Sequence, residues 1–446
     1  MFYAPRGHRF APWGCRFIRT MPAPKGLPVL GTTLSLMMAG SSPKLHRYID
    51  ARHRQLGSIF KENIGPVACV FIADPADMRF VFAKEGKYPQ HLLPEAWTVY
   101  NQQHNVSRGL FFMDGVEWLH FRRILNLDLL KGDQKWLQQC CEPPIARLLA
   151  QICASPDKPP IRQLLYNWSL EVIVSVLIGP DQYCQSRSKL DDQIGLLASS
   201  VHSVFETSAK MALIPSSLAA KCRLPRWKKF ETAATTALRA ATALVESLES
   251  NEGLLGRLQD QMTANELAKI VTDLILAAGD TTAFSMEWLL YLVAKHPEVQ
   301  SRLRTEPTES PYLKNTVKEA LRLYPVAPFL TRILSEDIQI KGFDIPAGTV
   351  LILSIFTSGR DSASFPEPQR FDPDRWADGR VLRSASLPFA MGARSCIGRK
   401  LAEYQLQTTL AQLVSRFQVE ALNEVEMVLR MVAVPSEEVK FRFLAV

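Results

Sequence analysis

Several features are absent from this chain of 446 residues. Its eight cysteines show no C-x-x-C spacing and no tidy pairing, Cys140 and Cys141 being simply adjacent. That excludes a disulfide framework and a structural zinc site as organising principles, and free thiols in a reducing compartment are expected. No Gly/Ser linker, low-complexity block or internal repeat divides the chain, so one large domain is the simplest organisation. No apolar run approaches the roughly 18 residues that a membrane-crossing helix needs, and no transmembrane anchor is expected. No basic stretch is interleaved with aromatics, so the formal charge of +8 is not read as nucleic-acid binding. An acidic protein partner and an anionic membrane surface are the readings left for it.

Acid is also missing from the start, Asp50 being the first acidic residue. Arg6, Arg9, Arg16 and Arg19 mark residues 1–20 as an Arg-rich leader, which reads as a mitochondrial presequence. Against that reading, Pro5 and Pro12 spoil an amphipathic helix and the leader has no serine; the bland alternative is a basic tail. Pro22, Pro24 and Pro28 follow, an extended entry into a domain that runs to residue 446.

What is present is a hydrophobic fraction of 47%, ample for a large core. Short strand signals lie at 59–72 and in DIQIKGFDIPAGTVLILS, and VLRMVAVPSEEVKFRF reads as a β-hairpin. From 144 to about 250 the pattern is helical, with breaks at Gly179-Pro180 and near Pro215 and Pro225. Residues 263–297 carry the longest helix signal, with Thr263 and Glu266 as a capping box and Pro297 as its stop. This helix is apolar nearly all round, as one threading the middle of a domain must be. Asp280, Thr281 and Thr282 interrupt it. Burying an acid and two hydroxyls costs several kcal/mol, by rough estimate, unless they are paired. They therefore invite a functional reading, although a hydroxyl bonded back to the preceding turn would only bend the helix.

The stretch that organises the chain is residues 389–398, FAMGARSCIG. Cys396 lies between Gly392 and Gly398, two residues after Arg394, and a helical run follows at once. A thiol at a helix N-terminus favours the thiolate and makes a metal ligand. Glycines admit a flat ligand, and a guanidinium can grip a carboxylate on its edge. Haem fits best, with Cys396 on iron, Arg394 on a propionate and Phe389 shielding the sulfur.

This stretch resembles the haem loop of the cytochrome P450 superfamily, F-x-x-G-x-R-x-C-x-G, at all five specified positions. The resemblance runs from about residue 22 to the end. It implies a mainly α fold with small β-sheets, one large haem-thiolate domain over residues 21–446, haem b as cofactor, and monooxygenase activity. On the W-x-x-x-R pattern it implies that Trp118 and Arg122 reach the propionates, as does Arg332 after LYPVAPFLT. Asp280 and Thr281 match the family's acid–threonine pair, which delivers protons to oxygen activation, with Ala278 where a glycine is usual. Glu319 and Arg322 match E-x-x-R, and Pro368-Gln369-Arg370-Phe371 is read as the segment whose arginine, Arg370, completes a buried structural triad.

Electron supply divides the family's branches. Lys314 and Lys318 share a helix face, and Arg399 and Lys400 follow the haem loop. In the mitochondrial branch such groups face an acidic, adrenodoxin-type ferredoxin; scattered solvated lysines are the bland alternative. The resemblance thus implies an enzyme on the matrix side of the inner mitochondrial membrane, in peripheral contact with it. AAGDTTAF, LYPVAPF, LPFAMGARSCIGR and VLRMVAVP resemble the arthropod branch that hydroxylates carbon 2 of ecdysteroids in moulting-hormone biosynthesis. Residues 326–329 and 432–434 match cavity-lining segments, with Ala277 and Ala278 as the ceiling. Alternatives of other kinds are another sterol, vitamin-D-like or xenobiotic substrate, a haem-thiolate isomerase or dehydratase, and a non-catalytic haem sensor.

Overall fold

The computed structural model describes residues 2–3, 21–27, 31–64, 67–211, 215–248, 252–306, 310–377, 381 and 385–446. Of the basic leader only Phe2–Tyr3 is among them, a two-residue strand paired with Leu93–Pro94; residues 4–20 and Pro28 lie outside the described residues.

The molecule is built around the helix Ala264–Lys295. Its start is fixed as the sequence predicts: the Thr263 hydroxyl accepts from the Glu266 amide at 3.4 Å, and the Glu266 carboxylate accepts from the Thr263 amide at 2.9 Å. Pro297 ends it by opening the next helix, Pro297–Thr305. From Ile270 to Val293 its side chains are largely buried. The helix Ile161–Ile178 packs along it, and Pro180–Lys210 pairs with Pro225–Ser247 above. The breaks fall where expected: Gly179 adopts φ +88° ahead of Pro180, and Pro225 occupies the first turn of its helix. Burying each large apolar side chain of these helices contributes about 1.5–3 kcal/mol.

Two expectations are corrected here. Ile161–Ile178 is long and apolar enough to cross a membrane, contrary to the absence of such a run expected from sequence, but 83% of it is buried inside the protein. Its apolarity serves the core. The C-terminal stretch is not one hairpin. Met427–Arg430 turns at Met431 (φ +64°) into Val432–Pro435, whereas Phe441–Ala445 pairs with Phe417–Ala421.

The β structure is small and lies to one side. A four-stranded sheet has the order Ile59–Ile64, Val67–Ile72, Val350–Ser354, Phe329–Ile333. The pairing of Val67–Ile72 with Val350–Ser354 is parallel and the others are antiparallel. Phe329–Ile333 matters for the site because it carries Arg332 inward. All seven cysteines among the described residues are free thiols.

Candidate active site

The loop before the helix Arg399–Arg416 is held by its own backbone and by one distant acid. The Cys396 amide donates to the Phe389 carbonyl at 2.9 Å, and the Ser395 amide to the Gly392 carbonyl at 3.2 Å. Gly392 adopts φ +78°, and a Cβ there would collide with the Glu85 carboxylate. Glu85 accepts from the Ala393 amide at 2.7 Å and from Arg332 Nε at 2.6 Å, clipping the loop to the sheet. Nothing in the sequence singled out Glu85, which lies 308 residues from Ala393.

Cys396 is open to solvent at its surface yet enclosed by protein. Burial pushes its thiol up; the Gly398 amide, Arg122 and Arg399 pull it down without reversing that. The thiolate favoured by the helix terminus is therefore not stabilised by the protein alone, and a bound cation would have to complete the ionisation.

Three basic groups gather on one side of this loop with donors unused. Arg122 is buried with Nε unpartnered, Arg332 is 4% exposed with Nη2 unpartnered, and neither ring nitrogen of His91 has a well-formed hydrogen bond. Burial, Arg394 and Arg332 hold His91 down to about 3, so it is neutral. Buried donors without acceptors are costly, and their convergence calls for an anionic ligand. Haem, with iron for the thiol and two carboxylates for these donors, fits the set. His91 was not found by sequence; a single histidine in a loop carries no signal of its own.

Arg394, expected on a propionate, donates within the protein to the carbonyls of Pro89 (2.5 Å), Leu110 (3.3 Å) and Met113 (2.6 Å) and to Asp114 Oδ1 (2.6 Å), which leaves one Nη1 hydrogen. It lies over the Trp118 ring at 4.4 Å. The guanidinium thus locks the loop onto the start of the helix Gly115–Leu125, which presents Trp118 and Arg122 on one face. Phe389 packs against the main core, with Arg399 5.8 Å above its ring.

The central helix exposes a narrow face: Ala277 is exposed, and Leu274, Ala278 and Thr281 are half-buried among buried neighbours. Thr281 Oγ1 donates to the Ala277 carbonyl at 2.8 Å, so the local back-bond holds the hydroxyl on that face. Asp280 lies off it, 1% exposed, with neither oxygen well hydrogen-bonded. Burial pushes its carboxyl up to about 7, with Tyr166 opposing. An acid that exchanges its proton near neutrality suits proton delivery. Of the other expected lining, Val326 and Phe329 are partly exposed. Residues 432–434 are buried, the Ala433 amide donating to the Val326 carbonyl at 2.9 Å; the turn is Met431, 39% exposed.

Behind the loop, Glu319 accepts from Arg322 at 2.7 and 2.8 Å, from Arg375 Nε at 2.7 Å, from Trp376 Nε1 at 2.9 Å and from the Asp372 amide at 3.1 Å. Arg375, not Arg370, is the third member. Arg370 gives only its carbonyl, at 3.1 Å to both Arg322 and Arg375, while its exposed side chain pairs with Glu367. Pro373-Asp374-Arg375-Trp376 repeats the Pro-x-Arg-aromatic pattern five residues after the segment chosen from sequence.

Lys314 and Lys318 are exposed on the outer face of Pro311–Leu323; Arg399 is exposed and Lys400 half-buried.

A family model described as Cytochrome P450 matches residues 21–443. Among curated proteins the chain is 41% identical to Cytochrome P450 315a1, mitochondrial, of Drosophila melanogaster, over 94% of this chain and 87% of that protein. It is 30% identical to the mitochondrial sterol 26-hydroxylase of Rattus norvegicus (96% and 89% covered). It is 28% identical to the mitochondrial cholesterol side-chain cleavage enzyme of Equus caballus (90% and 84% covered). Among solved structures, retinoic acid-bound cyanobacterial CYP120A1 has the same fold, with a TM-score of 0.77 at 22% identity, over 96% of this chain and 99% of that one.

Proposed function

The chain belongs to the cytochrome P450 family and is a monooxygenase; on that premise we propose that it hydroxylates carbon 2 of an ecdysteroid, converting 2-deoxyecdysone to ecdysone. The observation that carries this reading is the 41% identity over nearly the whole chain to Cytochrome P450 315a1, against 30% or less for the mitochondrial sterol enzymes above. The resemblance of AAGDTTAF, LYPVAPF, LPFAMGARSCIGR and VLRMVAVP to the ecdysteroid 2-hydroxylase Shadow points the same way. The protein is mitochondrial, like these relatives. Residues 1–20 act as its presequence, and its contact with the matrix side of the inner membrane is peripheral.

Haem b, held through Cys396, supplies dioxygen activation and insertion of one oxygen atom into a C–H bond. The chain's own residues do the rest. Arg122, Arg332 and neutral His91 receive the carboxylates, and Trp118, pinned by Arg394, backs the helix that carries Arg122. Ala277 and Ala278 leave room for the edge of a flat ring system, which sets the carbon attacked. Asp280 holds a proton near neutrality, and Thr281 Oγ1, its own proton given to the Ala277 carbonyl, presents an acceptor on the open face. Exposed Lys314, Lys318 and Arg399, with Lys400, receive an acidic ferredoxin that supplies electrons.

The test is mass spectrometry of products from a sterol panel, with a reconstituted mitochondrial ferredoxin system. A 2-deoxyecdysteroid should give one product, hydroxylated at carbon 2. Side-chain hydroxylation with carbon 2 untouched would overturn the substrate and leave the family standing.

A further inference from the structure

Asp280 is buried in the middle of the central helix with both oxygens lacking a well-formed hydrogen bond. The phenol of Tyr166, on the neighbouring helix Ile161–Ile178, lies close enough to its carboxyl for each to shift the other's titration, without a well-formed hydrogen bond between them. The Tyr166 oxygen lies 3.1 Å from Nδ1 of His202, which sits half-buried on Pro180–Lys210. Arg162, Glu206 and Arg430 act on His202; Arg162 also stands by Tyr166 and pairs with buried Glu287 at 2.9 Å, and Glu206 pairs with Lys210 at 2.9 Å on the exterior. Three proton-exchanging groups from three helices thus stand in a row from the interior to the surface. Phe284 lines that row apolarly, its ring 5.6 Å from Tyr166 and 6.5 Å from His202. The Ser169 hydroxyl donates to the Gly279 carbonyl at 2.9 Å and ties the two inner helices together at this level.

We propose that Tyr166 and His202 form the route by which a solvent proton reaches Asp280. They are positioning residues, acting through Asp280 and not on substrate. The transfer balances without electrons. Solvent gives a proton to Nε2 of His202, the Nδ1 proton passes to the Tyr166 oxygen, and the phenolic proton passes to Asp280. One proton enters, one arrives, and His202 and Tyr166 end neutral with the imidazole tautomer exchanged. Burial, with Arg162 nearby, holds His202 below the ordinary imidazole range, so it is neutral at pH 7 and free to exchange in this way. Burial also keeps Tyr166 a phenol.

This inference rests on the monooxygenase reading and not on the choice of sterol. The experiment uses the haem-loaded enzyme and two variants, Tyr166→Phe and His202→Gln. The first readout needs no turnover: the infrared C=O stretch of the Asp280 carboxylic acid, assigned by its loss in Asp280→Asn. The second is the fraction of NADPH electrons recovered in hydroxylated sterol and not in hydrogen peroxide, with any sterol the wild type accepts. Tyr166→Phe should shift the band and lower coupling about tenfold, since the phenol beside the carboxyl, from which it takes its proton, is gone. His202→Gln keeps an N–H for Tyr166 but cannot pass a proton through the ring. It should leave the band and the melting temperature in place while coupling still falls. An unmoved band in Tyr166→Phe, or wild-type coupling in either variant, overturns the proposal. Failure of the wild type to hydroxylate a 2-deoxyecdysteroid removes the substrate reading alone.

Discussion

The groups around Glu319 and the groups around Asp280 and the unpaired arginines are both buried and charged, and they differ in whether their hydrogen bonds are complete. Glu319 accepts five bonds from Arg322, Arg375, Trp376 and the Asp372 amide. Arg322 gives its remaining donors to the carbonyls of Gly359, Pro368 and Arg370. Across the loop, Arg122 Nε, Arg332 Nη2, His91 and both oxygens of Asp280 have no such partners. A network that satisfies itself holds the fold and has nothing left to give a ligand. A network left incomplete in a dry interior is costly, and it persists where a ligand or a moving proton completes it.

Removing one member of the satisfied side should have the largest effect. Glu319→Ala strands Arg322 and Arg375 without their counter-charge and should cost about 3–5 kcal/mol. The expected result is haem-free or insoluble protein, read as the ratio of Soret absorbance to total protein. A normal yield of haem-loaded protein would erase the contrast.

The opposite sign is expected for Asp280. A carboxyl raised in the folded state from 3.8 to about 7 destabilises the fold once the unfolded chain ionises. The penalty grows from about pH 4 to about pH 7 and is constant above. Asp280→Asn should therefore stabilise the holoenzyme at pH 8 by about 4 kcal/mol and leave it nearly unchanged near pH 4. Melting temperature against pH reads this directly, and a flat difference between the two proteins would contradict it.

Arg122→Met keeps the volume and removes an unpartnered donor. Global stability should change by no more than about 1 kcal/mol. Haem loss to a scavenging globin should speed up about tenfold, because a charged hydrogen bond to the ligand is gone. Equal effects on unfolding and on haem loss would place Arg122 with the structural network.

The smallest effect belongs to the surface. Lys314→Glu with Lys318→Glu should raise the ferredoxin concentration for half-maximal reduction about threefold to tenfold, and wild-type reduction should slow with salt. Substrate-induced spectral change should be unaffected. Ferredoxin dependence identical to wild type would remove these lysines from the docking face.

The sequence by itself determined whatever is written in short, local patterns. The capping box at Thr263 and Glu266, the helix ends at Gly179 and Pro297, the Glu319–Arg322 pair and the Cys396 loop all involve residues within a few positions of one another. Backbone geometry then sets which groups meet, whatever the rest of the chain does. The breadth of the apolar pattern likewise marked Ala264–Lys295 as central. Only the tertiary structure decided the partners that come from afar. Arg370 and Arg375 sit in segments of the same pattern, and the path of the chain after Gly359 alone brings the second to Glu319. Glu85 reaches the haem loop from 308 residues away, and Arg394 is occupied by carbonyls at least 281 residues before it. Tyr166 comes beside Asp280, and His202 beside Tyr166, because two other helices pack there. Side-chain chemistry fixes what a residue can bond to, but which partner is within about 3 Å depends on how distant segments pack, and no local pattern encodes that.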